Sequence, residues 1–176
     1  TWRNVETLFA YNSNIFMGTT TGMLIYNTND PRSPQHISTV NHMTACDPVV
    51  VQDDYAYVTV RSGGTSCMGE LNQLDVIDIS NIESPELKKS FQMKNPHGLG
   101  IDGTALFICD GDAGLKVFDA TNPLTSGDEL IKKFGNIQAT DIIPFNNIAI
   151  VIGNDGIYQY DYTNTEDLSL LSKIKF

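Results

Sequence analysis

A pattern of four short runs recurs four times along this 176-residue chain, and it constrains the fold more than any other feature of the sequence. In each copy the third run ends in an acidic or amide residue, at Asn27, Asp78, Asp119 and Asp161. These positions are 51, 41 and 42 residues apart, which gives a regular period with one insertion in the second copy. A period of about 40–45 residues is typical of four-stranded propeller blades.

The four runs of each copy have the composition of β-strands. They are rich in Val, Ile, Tyr and Phe and are separated by turn pairs such as Asp-Gly and Asn-Asn. The second runs are apolar at nearly every position, as in strands that are covered on both faces. The fourth runs are polar, and those of copies two to four carry lysines, which protect an exposed sheet edge. Residues 126–134 would pass alone for a short helix, but their place in the repeat predicts a strand.

A four-stranded sheet that is apolar on both faces needs a similar sheet on either side. The sequence therefore predicts an all-β fold of four consecutive four-stranded antiparallel β-propeller blades, at approximately residues 5–42, 43–94, 95–136 and 137–176. We expect residues 1–176 to form a single propeller domain or a fragment of one.

Several features favour a piece of a larger propeller with its upstream blades missing. The chain begins at Thr1 without a signal peptide, and no blade combines strands from both termini. An incomplete ring would expose apolar blade faces, so self-association through those faces is expected.

The charge balance limits the classes of partner. The net charge is −10, and an acidic surface repels phosphate backbones, so we expect no nucleic-acid partner. No apolar run reaches the roughly twenty residues of a membrane-spanning helix, so no membrane span is expected. No motif for a cofactor or a metal is recognisable, and we expect neither.

The third runs of the second and third copies carry a recognisable motif. Residues 74–78 read LDVID, followed by ISN, and residues 115–119 read LKVFD, followed by ATNP. These motifs resemble the LVIVD-repeat family, whose members form β-propellers and occur in many bacterial and archaeal cell-surface or secreted proteins. Copy one departs from the motif with Asn27 in place of Asp, and copy four with Tyr and Gln in place of aliphatic residues. The resemblance implies architecture and an extracellular, cell-surface or periplasmic location. It implies no catalytic residue.

Propeller topology places two kinds of connection at the same end of the blades: those from second to third strand and those from fourth strand to the next first strand. Functional residues commonly lie on such loops. We call this end the loop-rich end. It comprises residues 44–47, 61–72, 95–98, 110–114, 138–141 and 154–156.

The insert at residues 61–72 is the longest of these loops, and it supplies the candidate binding residues Arg61, Cys67 and Glu70. Cys46 is predicted at the same end, so a Cys46–Cys67 disulfide would pin the insert in an oxidising compartment. Two free thiols, or a nucleophilic Cys67, are the alternatives. Cys109 lies in an apolar run and is expected to be a buried core residue.

The remaining candidates are polar residues near the predicted axis. Asp110 and Asp112, in the sequence DGDAG, are candidate binding residues; the distal Glu of a calcium loop is missing, which favours a simple turn. His97 is a candidate binding residue as well. A His between carboxylates can act as an acid or base, which makes His97, Asp47 and Asp141 the weaker catalytic candidates.

Three functional classes follow from these residues. The favoured class is a non-catalytic binding or scaffold module that recognises a protein or glycan through the loop-rich end and its insert. The alternative is a propeller enzyme, a carbohydrate-directed hydrolase or lyase, with its site at the axial mouth. The third class is a purely structural array.

Overall fold

The computed structural model describes residues 5–41, 48–62 and 71–176. Within these ranges, the chain forms four four-stranded antiparallel sheets in which the strands follow one another in chain order. This confirms the all-β class and the four blades that the repeat predicts. No helix in the described ranges has both the length and the apolar character that a membrane crossing requires.

Each blade begins with a strand at one edge of its sheet and ends with a strand at the other edge. The first blade contains β1 (Val5–Tyr11), β2 (Asn14–Thr19), β3 (Gly22–Asn27) and β4 (Gln35–Asn41). The second contains β5 (Val49–Gln52), β6 (Tyr55–Val60), β7 (Gln73–Asp78) and β8 (Glu86–Gln92). The third contains β9 (Leu99–Asp102), β10 (Ala105–Cys109), β11 (Leu115–Asp119) and β12 (Leu130–Phe134). The fourth contains β13 (Ala139–Phe145), β14 (Ile148–Gly153), β15 (Gly156–Asp161) and β16 (Ser169–Lys175).

The chain divides into two compact units of two blades each. The amino-terminal unit is Thr1–Gln92 and the carboxy-terminal unit is Met93–Phe176. Within each unit the first strands of the two blades are neighbours: β1 lies beside β5, and β9 lies beside β13. Neighbouring first strands are the arrangement that propeller blades adopt towards their axis.

The core of the carboxy-terminal unit forms where the third blade packs on the fourth. Phe107 and Val117 of the third blade lie in one buried cluster with Val151 and Tyr160 of the fourth. Phe107 has an equivalent residue at the same place in the strand register of each of the other blades. We call the face of a blade on which this residue lies the leading face, and the opposite face the trailing face. The core of this unit therefore joins a leading face to a trailing face.

The amino-terminal unit repeats the same packing. Phe16 occupies in the first blade the register position of Phe107, and it is buried in a cluster with Val58 of the second blade. Val58 occupies the position of Val151. The same pair of faces thus meets in both units, which is the physical reason that the apolar pattern recurs.

The recurring Asp of the repeat closes a turn. The carboxylate of Asp78 accepts hydrogen bonds from the amide and hydroxyl of Ser80, at 2.9 and 2.6 Å. Asp119 accepts the same pair from Thr121, at 2.8 and 2.5 Å, and Asp161 accepts from the amide of Thr163. Asn27 performs this role in the first blade, where its side-chain oxygen accepts from the amide of Asn29. The motif residue is therefore a turn cap, which explains why Asn can replace Asp.

The segment at residues 126–134 is strand only in its second half. β12 begins at Leu130, and the preceding residues form turns. The hydroxyl of the buried Ser126 donates to the carbonyl of Pro123 at 2.9 Å, which holds these turns together.

Candidate functional site: the loop-rich end of the carboxy-terminal unit

Loops of the third and fourth blades meet at the loop-rich end of the carboxy-terminal unit. The amide of His97 donates to the carbonyl of Cys109 at 2.7 Å, and the amide of Gly98 donates to the carbonyl of Thr140 at 3.0 Å. Residues 95–98, 110–114 and 138–141 are therefore held side by side through these bonds. Three of the loops assigned to this end by propeller topology do come together in this unit.

Asp110 is the anchor of these loops. Its side chain is completely buried, and its carboxylate accepts hydrogen bonds from the amide of Asn95 at 2.7 Å and the amide of Lys94 at 3.1 Å. The ammonium of Lys116 lies 2.5 Å from the second carboxylate oxygen. A buried carboxylate is tolerated only when its charge and lone pairs are satisfied, as they are here. Asp110 therefore holds the loop before the third blade against the turn that follows β10.

The turn after β10 is a single turn of 3-10 helix, Gly111–Ala113. Gly111 and Gly114 have φ angles of 54° and 86°, a region that glycine adopts without steric cost. A Cβ at Gly114 would lie 2.4 Å from the carbonyl oxygen of Phe134. The glycines of the DGDAG sequence are thus required by the turn, and they leave Asp112 exposed at its tip.

No group of three or more His, Cys, Asp or Glu side chains suited to a metal ion occurs among residues 5–41, 48–62 and 71–176. Asp110 has its oxygens engaged by protein donors. Asp112 is exposed, whereas Asp110 is buried. The two carboxylates of DGDAG therefore do not share a site.

Asp141 lies against the backbone of the third blade. A Cβ at Gly98 would lie 2.0 Å from Oδ1 of Asp141, so only glycine permits this approach. The residue as a whole is exposed, but the surrounding protein desolvates its carboxyl and raises the pKa, and the hydrogen bond from the Ile142 amide offsets only part of this.

Cys109 is a buried core residue, as the sequence predicts. Burial raises the pKa of its thiol well above the ordinary value of 9.0, and the nearby charge of Asp141 raises it further. The thiol is therefore held in its protonated, weakly nucleophilic form.

The other predicted site residues are placed as follows. His97 is half-buried and stands one residue before Gly98, in the same loop cluster as Asp141. Arg61 is half-buried at the end of β6, in the amino-terminal unit. The candidates that lie outside the described residues are Cys46, Asp47, Cys67 and Glu70, and with them the proposed Cys46–Cys67 disulfide.

Two polar contacts of this unit were missed by the sequence reasoning. Lys116, the partner of Asp110, was given no role, although a lysine inside the apolar run LKVFD is the signal that identifies it. The second contact is at residues 154–156, where the ammonium of Lys173 lies 2.6 Å from Asp155 and 2.5 Å from the hydroxyl of Tyr158. The hydrogen bond from Lys173 lowers the pKa of Asp155. No pattern in the sequence singles out this group.

Solved structures show the same fold at low sequence identity. A protein from Lactobacillus plantarum aligns with a TM-score of 0.71 and 12% identity, over 96% of this chain and 55% of that chain. Myxococcus xanthus glutaminyl cyclase aligns with a TM-score of 0.62 and 11% identity, over 96% of this chain and 70% of that one. The computationally designed Ika4 protein aligns with a TM-score of 0.60 and 10% identity, over 97% of this chain and 92% of that one. For several similar structures, the chain spans only about half of their length, between 45% and 55%.

No curated protein sequence matches the chain significantly. The family model of the LVIVD repeat matches residues 44–93, which include the LDVID motif of β7. This match confirms the resemblance for the second copy of the repeat. The four blades and the family match together show a β-propeller-type chain whose second blade matches the LVIVD-repeat model.

Proposed function

We propose that the chain is a non-catalytic binding or scaffold module that recognises a protein or a glycan through its loop-rich end. The observation that carries this proposal is the environment of Asp110. Two backbone amides and Lys116 donate hydrogen bonds to its carboxylate, so the carboxylate is engaged in structural contacts and not in catalysis. These contacts fix the loops. Fixed loops favour binding because less conformational entropy is lost when a ligand is bound.

The exposed side chains of these loops are suited to hydrogen bonding. The exposed residues of loops 110–114, 138–141 and 154–156 are all polar: Asp112, Gln138, Thr140, Asp141, Asn154 and Asp155. Neutral amides and hydroxyls beside a carboxylate match the hydroxyl groups of glycans and the polar surface of proteins. The insert at residues 61–72, with Arg61, Cys67 and Glu70, belongs to the proposed binding surface on the basis of the sequence alone. The acidic charge of the chain disfavours nucleic acid as the ligand.

The proposed location is extracellular, at the cell surface or in the periplasm. Its support is the LVIVD resemblance, which the match at residues 44–93 strengthens. A Cys46–Cys67 disulfide pinning the insert belongs to the same proposal, because it requires an oxidising compartment. Self-association through exposed blade faces belongs to the same proposal.

The second candidate function is a propeller enzyme acting on carbohydrate. One observation favours it: Asp141 has a raised pKa, which is a property of carboxyls that act as general acids. His97 stands in the same loop cluster, and one structural neighbour is a glutaminyl cyclase, at 11% identity. The binding function has the better support because Asp141 lies against the Gly98 backbone, where a desolvated structural carboxyl has the same property.

A glycan array with the whole chain and three variants tests the binding proposal. Asp112→Ala and Gln138→Ala remove exposed groups of the loop-rich end, while Glu166→Ala removes an exposed carboxylate from a third-to-fourth strand connection as the control. We expect the first two variants to lose glycan binding and the control to retain it. Binding that survives both loop substitutions contradicts the proposed surface. The same variants apply to a protein ligand identified by cross-linking on intact cells.

The enzyme alternative is tested with whichever glycan the chain binds. Mass spectrometry of that glycan after incubation with the chain is expected to show an unchanged mass. Cleaved or unsaturated products would favour the enzyme, and their disappearance in Asp141→Asn would assign the acid.

A further inference from the structure

The fourth blade has an exposed apolar face. Ile143 and Phe145 on β13 are 58% and 71% exposed, and Ile150 and Ile152 on β14 are 39% and 37% exposed. Strand pairing places Ile143 opposite Ile150 and Phe145 opposite Ile148, so these side chains form one continuous surface. This surface is the leading face of the fourth blade. Patches of large apolar side chains on a protein surface mark interaction sites.

The equivalent face of the third blade is fully buried. Phe107 holds there the position that Ile150 holds in the fourth blade, and it is 0% exposed because the trailing face of the fourth blade covers it. Cys109 holds the position of Ile152 and is also 0% exposed. The leading face of the fourth blade therefore corresponds to the leading face of the third blade. In the third blade, that face is covered by the trailing face of the next blade.

The first blade has an uncovered trailing face of matching construction. Leu8, Met17 and Leu24 form a row across β1, β2 and β3. They hold the positions of Ile142, Val151 and Tyr158 in the trailing face of the fourth blade. Leu8 is 63% exposed, and Met17 and Leu24 are half-buried.

We propose that the leading face of the fourth blade binds the trailing face of the first blade in a second copy of this chain. This contact would be a third use of the pairing between leading and trailing faces that builds the core of each unit. The interface centres on Ile143 and Ile150 of one copy and on Leu8 of the other.

The assembly that we infer is a closed dimer. In the described residues of each copy, one leading and one trailing face are exposed, and such unlike faces either close into a ring or continue as a filament. This chain covers 48%, 55% and 47% of three solved structures of this fold, so two copies have about as many residues as one of those chains. Closure at two copies leaves neither face exposed, whereas a filament leaves one of each at its ends.

The mass of the whole chain in solution tests the proposal. One copy has a mass of 19.4 kDa, and we expect sedimentation equilibrium to give about twice this value for the unmodified chain. Ile150→Asp and Leu8→Asp each place a charge in the proposed interface. Each should raise the dissociation constant about thirtyfold or more, as loss of an interface hot spot does. Leu87→Asp, at a leucine that is 54% exposed on the outer strand β8, is the matched control and should remain dimeric.

A mixture of the two interface variants distinguishes this arrangement from others. Ile150→Asp retains an intact trailing face on the first blade, and Leu8→Asp retains an intact leading face on the fourth. Their mixture should therefore form dimers through one intact interface, although neither variant does so alone. Circular dichroism must show that each variant is folded. For a variant that does not fold, protection of residues 148–152 from hydrogen exchange in the unmodified chain, rising with protein concentration, gives the same answer.

Three results would overturn the proposal. A monomeric unmodified chain would show that the two faces do not meet between copies. A dimer that survives both interface substitutions would place the interface elsewhere. Variants whose mixture stays monomeric would show that the leading face of one copy does not bind the trailing face of the other.

Discussion

The ammonium of Lys116 lies 2.5 Å from Oδ2 of Asp110, whose side chain is completely buried, while 18% of the Lys116 side chain remains exposed. The pair joins the second and third strands of one blade and, through the Lys94 and Asn95 amides, ties them to the loop that precedes the blade. The two partners are not equivalent, because only the lysine can reach water.

Removing the lysine should therefore cost more stability than removing the aspartate charge. Lys116→Met leaves a buried, uncompensated carboxylate, and we expect a loss of about 3 kcal/mol in unfolding free energy. Asp110→Asn retains an acceptor for the backbone amides and should cost about 1 kcal/mol. Urea unfolding of both single variants and the double variant measures this. Equal losses, or a double variant less stable than Lys116→Met, would contradict the structural role given to the pair.

Gly98 should be intolerant of any side chain. A Cβ at this position would lie 2.0 Å from Oδ1 and 2.8 Å from Cα of Asp141, and the second contact is with backbone that cannot rotate away. We expect Gly98→Ala to lower the unfolding free energy by about 2–3 kcal/mol. Gly135→Ala is the matched control, because a Cβ there meets nothing within 4 Å. Thermal unfolding of the two variants should separate them clearly; similar melting temperatures would show that the loops around Asp141 are not closely packed.

Asp141 should make the stability depend on pH in a specific direction. Its folded-state pKa is raised above the ordinary 3.8, so the folded protein binds this proton more tightly than the unfolded chain does. The ionised carboxyl therefore destabilises the fold above the folded-state pKa, and this penalty disappears as pH falls from that value to 3.8. Asp141→Asn should be more stable than the unmodified chain at pH 7, with an advantage that shrinks over this window.

Asp119 provides a control of opposite sign for this experiment. The hydroxyl and the amide of Thr121 donate to its carboxylate and lower its pKa below the ordinary 3.8. Ionised Asp119 thus stabilises the fold above pH 3.8, and this contribution is lost as pH falls through the lowered pKa. Asp119→Asn should be less stable than the unmodified chain at neutral pH. Chemical denaturation at several pH values measures the unfolding free energy of both variants. If the stability difference from the unmodified chain changed with pH in the same direction for both, the opposite pKa shifts of Asp141 and Asp119 would be refuted.

Cysteine labelling should separate Cys109 from the other two thiols. Cys109 is buried, and its pKa is raised well above 9.0, so it should react with a thiol reagent only when the chain unfolds. With the proposed Cys46–Cys67 disulfide formed, the unreduced chain should give no reactive thiol when native and one in guanidinium. Three thiols in guanidinium would eliminate the disulfide, and fast native labelling at Cys109 would contradict its burial.

Much of the fold could be predicted because the repeat is a direct consequence of packing. β1, β6 and β14 are strands rich in apolar residues, and each adjoins a turn with a clear sequence signature. The strand predicted at residues 126–134 is wrong at its start, because the polar residues 126–129 precede β12 and form turns. Burial of Cys109 followed from the same apolar pattern.

The candidate site could be predicted only in outline. The topology of a propeller places His97, Asp110 and Asp141 at one end, and in the carboxy-terminal unit their loops do meet. The burial of Asp110 could not be read from DGDAG, because a turn aspartate and a buried anchor have the same local sequence. The approach of Asp141 to Gly98 depends on how two blades pack, which no short motif encodes.

Within each unit the two blades pack leading face to trailing face, and a double-mutant cycle between Phe107 and Tyr162 measures that contact most directly. The two rings belong to the third and fourth blades, and their centroids are 5.1 Å apart in an edge-to-face arrangement. Phe107→Leu, Tyr162→Leu and the double variant should give a coupling free energy of about 1 kcal/mol in urea unfolding. A coupling free energy of zero, with all three variants folded, would contradict the packing of these faces.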